Sequence, residues 1–107
     1  MELIYDYWTG NFEECKKSLI RSAGQYLRNY DLKVGITNDP LRRKKQYEFS
    51  GEKWKYMIVK YHTSSVNYIN QMEKIVIDRH WEVNHNKVAG GGGPNGVGPY
   101  YLYFVLK

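Results

Sequence analysis

Cysteine is nearly absent: Cys15 stands alone among 107 residues, which excludes an internal disulfide and a cysteine-built zinc site and favours a reducing compartment. Also missing are a signal-peptide pattern and any apolar run of membrane length, so the expected location is the cytoplasm and no membrane partner is expected. Acidic residues are the minority charge, 11 against 16 lysines and arginines, and the resulting net charge of +5 leans towards a polyanionic partner. The glycine-rich stretch at 90–99, GGGGPNGVGP, has neither the lysine nor the spacing of a P-loop, so a nucleoside-triphosphate site is not indicated. That stretch cannot form helix or strand, and it either links its neighbours or cradles phosphate oxygens with its backbone N–H groups. An HExxH zinc arrangement is lacking as well, because His80 and His85 stand five residues apart across a helix end.

Aromatic residues are plentiful. Eleven tyrosines and three tryptophans suit either a core with wet edges or a surface that stacks on bases. A hydrophobic content of 42% with 25% charged residues describes a folded chain rather than a disordered one, and 107 residues sustain one core, hence a single domain over 1–107.

Along the chain, residues 2–8 (ELIYDYW) read as a short strand or an extended lead-in, broken by Thr9-Gly10-Asn11. Phe12, Cys15, Leu19, Ala23 and Leu27 recur at helical spacing over 12–28, with Thr9 or Asn11 available as N-cap and Glu13 and Glu14 at the positive end of the dipole. Leu32, Val34 and Ile36 then alternate with Lys33, Gly35 and Thr37, placing the aliphatics on one face of a strand and the lysine on the other. Asn38 or Asp39 caps a basic helix opening at Pro40, in which Arg43 and Tyr47 share a face. The run at 54–63 (WKYMIVKYHT) is a strand too apolar for a free edge, and His62 within it carries no functional signal. Thr63-Ser64-Ser65 caps the longest helix, from 66 to about 81, and YYLYFVLK at 100–107 is a final strand. Glu73 is the anomaly of that helix, a carboxylate bordering the apolar stripe of Ile69, Met72 and Val76. Such a group needs a partner: a salt bridge to Arg43 or a lysine, or a bound ligand. His80 lies on roughly the same face and reads as a half-buried helix-end histidine.

The Lys33-Val34-Gly35 triplet, with Arg43 and Tyr47 following it, resembles the GIY-YIG nuclease family, in which a Y-[IV]-G strand leads into a helix carrying an essential arginine and then a His or Tyr. Lysine stands where that family usually has tyrosine, as in some of its restriction-enzyme members. The segment at 71–77 (QMEKIVI) resembles the helix that carries the family's metal-binding glutamate, which falls on Glu73; the asparagine that usually follows falls on Asn86, or on Asn84. The first motif, G-[IV]-Y, is missing from its usual place. Gly98-Pro99-Tyr100 resembles it displaced to the C-terminus, as in a circular permutation, which makes Tyr100 the expected catalytic tyrosine, with Tyr101 and Tyr5 as alternatives.

The resemblance implies an α+β fold with a small, mainly antiparallel three-stranded sheet flanked by helices. It also implies a metal-dependent endonuclease that hydrolyses DNA, or another nucleic acid, with Mg²⁺ or Mn²⁺. Tyr100 is the expected general base, its pKa depressed by Lys33. Arg43 holds the phosphate, Glu73 binds the metal, and Tyr47 and Asn86 orient phosphate or metal-bound water. Arg42, Lys44 and Lys45 add DNA contacts beside Arg43. Cutting both strands together calls for two copies, so a homodimer is one arrangement open to the chain. Two further readings stand beside this one: a catalytically degenerate member of the fold that binds nucleic acid or another anionic ligand, and a basic interaction protein.

Overall fold

The structure is a computed structural model and describes residues 1–79 and 97–107. The elements run β1 (Glu2–Trp8), α1 (Phe12–Tyr26), β2 (Leu32–Thr37), α2 (Pro40–Phe49), β3 (Tyr56–Thr63), α3 (Val66–Arg79) and β4 (Tyr100–Leu106). The helix starts follow local chemistry. Asn11 accepts a hydrogen bond from the Glu14 N–H at 3.1 Å, Asp39 accepts one from the Arg42 N–H at 3.1 Å, and Ser65 accepts one from the Tyr68 N–H at 3.1 Å. Each satisfies one donor that an opening helical turn leaves unpaired.

The strands form one mixed sheet in the order β1-β3-β4-β2. The α+β class is as expected, but the sheet has four strands rather than three. The lead-in at 2–8 is a full strand lying parallel to β3, while β4 is antiparallel to both β3 and β2. Of the two readings of this segment the strand is the one formed, and most of its side chains are exposed on an edge, which leaves little hydrophobic alternation to tell it from a lead-in.

Strand alternation divides the side chains between two faces. Leu32, Val34, Ile36, Leu102, Phe104 and Leu106 pack with Leu19 and Ala23 of α1 and Ile69, Met72 and Val76 of α3. On the other face Met57, Val59, Tyr103 and Val105 pack with Tyr47 of α2 and with Trp54. Among the described residues no helix is long and apolar enough to cross a membrane.

Candidate active site

The β2–α2 corner gathers its groups through register. Gly35 is paired with Tyr103 across the β2–β4 ladder, Lys33 with Val105, and Thr37 with Tyr101. These residues point to the α2 face. At Gly35 the missing side chain matters, because a Cβ there would overlap the hydroxyl and ring of Tyr103. Tyr103 thus crosses the glycine and reaches Tyr47, and the two hydroxyl oxygens lie 2.9 Å apart. Gly35→Ala is therefore expected to cost about 2 kcal/mol of stability, measured as an earlier urea midpoint. An unchanged midpoint would mean that Tyr103 does not cross Gly35.

Tyr47 is fixed on three sides. The Tyr103 ring meets it nearly at right angles with centroids 5.9 Å apart, and Trp54 does so at 6.5 Å. The Lys33 ammonium lies over the Tyr47 ring, 5.4 Å from its centroid. Burial pushes the phenol pKa of Tyr47 up, and it pushes that of Tyr103 far above the ordinary tyrosine value; the Arg43 charge acts in the opposite direction on both. The tyrosine that Lys33 accompanies is Tyr47 rather than Tyr100, and the lysine ammonium lies against the ring face. Both phenols are protonated at neutral pH. Sharing one hydrogen bond leaves the pair a second O–H to offer.

Glu73, on α3, is buried with 7% of its surface exposed. Burial pushes its carboxyl pKa up to about 7, opposed by the Arg43 guanidinium. Among the described residues no cation lies within ion-pair distance of Glu73, so the salt bridge that its position allows is not formed there. No side-chain oxygen of the described residues is both sealed from solvent and unpartnered, so the carboxylate keeps access to water. Among the described residues no group of three or more His, Cys, Asp and Glu is clustered. Within that set Glu73 is a lone hard oxygen donor whose charge has no ion-pair partner, which fits a divalent cation that keeps most of its water ligands.

Of the expected residues, Lys33, Arg43 and Tyr47 meet at this corner, and Glu73 is near enough for its charge to act on Tyr47 and Tyr103. Tyr100 does not join them. It pairs with Thr63 and belongs to the core cluster of the face opposite Tyr103, because Tyr100 and Tyr103 are an odd number of residues apart along β4. Tyr101 does lie on the α2 face, in contact with the rings of His62 (5.1 Å) and Tyr7 (6.4 Å). Tyr5 is exposed on β1, with two strands between it and β2. Arg42 donates to the Asn38 side chain at 3.4 Å, Lys44 pairs with Glu48 at 3.2 Å, and Lys45 is exposed. Asn84, Asn86, His80 and His85 lie outside the described residues. Tyr103 is the residue that sequence reasoning passed over. Its signal was the glycine opposite a large aromatic, legible only once the β2–β4 register is known.

No family model, curated protein or solved structure matches this chain.

Proposed function

We propose that the chain is a metal-dependent endonuclease of the GIY-YIG type that hydrolyses DNA phosphodiester bonds in the cytoplasm, with the first-motif strand displaced to β4. The observation that carries this reading is the convergence of Tyr103, Tyr47, Arg43 and the buried Glu73 from three separate elements. The sheet order supports it, since β4 lies between β2 and β3 and is antiparallel to both. In this reading Tyr101-Leu102-Tyr103 takes the place of the first motif, and Tyr103 replaces Tyr100 as the catalytic tyrosine.

Arg43 holds the scissile phosphate through its planar fork and neutralises charge that builds on it. The small fraction of Tyr103 that has already lost its phenol proton to solvent, its oxygen ordered by the contact with Tyr47, accepts the proton of the attacking water as the new phosphorus–oxygen bond forms. Lys33, above the Tyr47 ring, adds positive charge on the same side. Glu73 is the residue that would hold a Mg²⁺ or Mn²⁺ ion, which would supply positive charge to stabilise the departing oxygen.

The test is incubation of supercoiled plasmid with the protein. Nicking that needs Mg²⁺ or Mn²⁺, stops on chelation and falls at least about 100-fold in Arg43→Ala is expected. Cleavage indifferent to chelator and to Arg43→Ala would sink the assignment. Salt-sensitive DNA binding without cleavage would favour the second reading, a non-hydrolytic binder, which has one observation on its side: both phenols are harder to ionise than a free tyrosine.

A further inference from the structure

The far edge of the sheet carries a second constellation, unconnected with the Tyr103 corner. Between β1 and α1 lies a cleft of about 610 Å³ whose walls include Asp6, Trp8, Arg21, Gln25, Tyr26 and Lys60. That volume is in the range of small-molecule sites.

Lys60 is the unexpected member. It is 3% exposed, in a strand whose neighbours are apolar, and lysine is rarely buried to this degree. Strand alternation puts it on the same face as Ile58, and a bulge follows at that point. The β3–β4 pairing passes from Val59↔Tyr103 directly to Tyr61↔Leu102, so Lys60 is the extra residue, and it turns with Tyr61 towards α1. Its ammonium is 3.2 Å from Asp6 Oδ2, 4.6 Å from the centre of the Trp8 ring and 5.7 Å from that of Tyr26.

Folding alone gives no reason for this arrangement. An apolar residue of the same volume normally serves a buried position as well as an ion pair does. Asp6 is 70% exposed on its side chain, so the pair opens to solvent instead of being sealed. Asp6 accepts one hydrogen bond from Lys60, and an ammonium has three donors.

We propose that this cleft binds a nucleotide unit, its base stacked among Trp8, Tyr26 and Tyr30 and its phosphate held by Lys60 and Arg21. Lys60 and Arg21 against Asp6 leave one net positive charge on the walls, matched to one phosphodiester. Three aromatic side chains line the same cleft, a wall that a simple anion would not call for. Gln25 and Asn29, four residues apart on the wall, each carry an amide donor and acceptor suited to the edge of a base. A metal cation is disfavoured by the sign of the charge, and an apolar ligand would bury the Lys60 ammonium without a gain. The nucleotide can be free or part of a strand. Nothing in this proposal depends on the nuclease reading, because β3 and β4 stand between β1 and the Gly35 strand.

The test is a titration of isotope-labelled full-length protein followed by amide and indole chemical shifts, with dAMP, a deoxyadenosine hexanucleotide, adenosine and inorganic phosphate as separate probes. Saturable shifts at Asp6, Trp8, Gln25 and Lys60 are expected with dAMP, or with the hexanucleotide alone if the unit belongs to a strand. Lys60→Met, which keeps the volume, should weaken binding at least about tenfold, and Glu73→Ala should leave it unchanged. The map on the unsubstituted protein stands even if a variant fails to fold. The proposal is overturned if neither dAMP nor the hexanucleotide shifts these residues at concentrations up to roughly 10 mM. It is overturned too if phosphate alone binds as tightly as dAMP, or if Lys60→Met retains full affinity.

Discussion

Tyr103→Phe is expected to slow metal-dependent DNA cleavage about 1,000-fold, whereas Tyr100→Phe keeps most of the activity. The two tyrosines are three residues apart and on opposite faces of β4. Phenylalanine at 103 keeps the ring that crosses Gly35 but removes the oxygen bonded to Tyr47. The lost rate therefore belongs to the hydroxyl rather than to packing. Because burial holds the Tyr103 phenol in its protonated form, its phenolate fraction limits the rate, and cleavage should climb about tenfold per pH unit from roughly pH 7.5 to 9. Tyr103→Phe should lose that slope as well as the rate. The melting temperature of the variant separates this from unfolding, since removing one buried hydrogen bond costs on the order of 1 kcal/mol. Near-normal cleavage by Tyr103→Phe, with or without the slope, would remove Tyr103 from the chemistry.

How much of this site the sequence carries depends on how local each relation is. Lys33, Arg43 and Tyr47 were legible because a strand alternation, a cap and an i,i+4 spacing fix them within fifteen residues. Glu73 was legible because a carboxylate interrupts an apolar helical stripe, and its burial follows from that position. Tyr103 was not, and for a definite reason. The strand at 100–106 is buried on both faces, so its residues show no polar–apolar alternation that would say which tyrosines point to α2. Register with β2 decides the matter, and a slip of one residue exchanges the faces. The Gly-Pro preceding Tyr100 drew attention to a ring that lies on the face opposite Tyr47. The partner of β1 and the turn of Tyr61 towards α1 were hidden by the same kind of non-local cause, a parallel pairing with β3 and a bulge in β3 itself.

Glu73→Gln is expected to stabilise the metal-free protein by about 3 kcal/mol at pH 8 and to leave it nearly unchanged at pH 4. The folded-state pKa of about 7 stands above the ordinary value of 4.5, because burial penalises the carboxylate more than Arg43 favours it. Between those two values the folded chain holds a proton that the unfolded chain has released. The stability contributed by Glu73 is therefore complete below about pH 4.5, declines as pH rises through about 7 and is absent above it. Glutamine has the same shape and no such titration, so the difference between the two denaturation curves across pH isolates Glu73 from every other group. Arg43, Tyr47 and Tyr103, the charged and titratable neighbours, are common to both proteins. Mg²⁺ supplies the second half of the test. An ion bound to the carboxylate of the folded state alone returns about 2.7 kcal/mol at a concentration 100 times its Kd, and it should do so for the unsubstituted protein and not for the Glu73→Gln variant. A difference curve that stays flat between pH 4 and 8 would deny the burial of a charged carboxylate, and equal stabilisation of both proteins by Mg²⁺ would place the ion elsewhere. Both effects would arise at the same pair of oxygens, so the carboxylate that weakens the metal-free fold above about pH 7 is the one a divalent ion would have to hold for the proposal to stand.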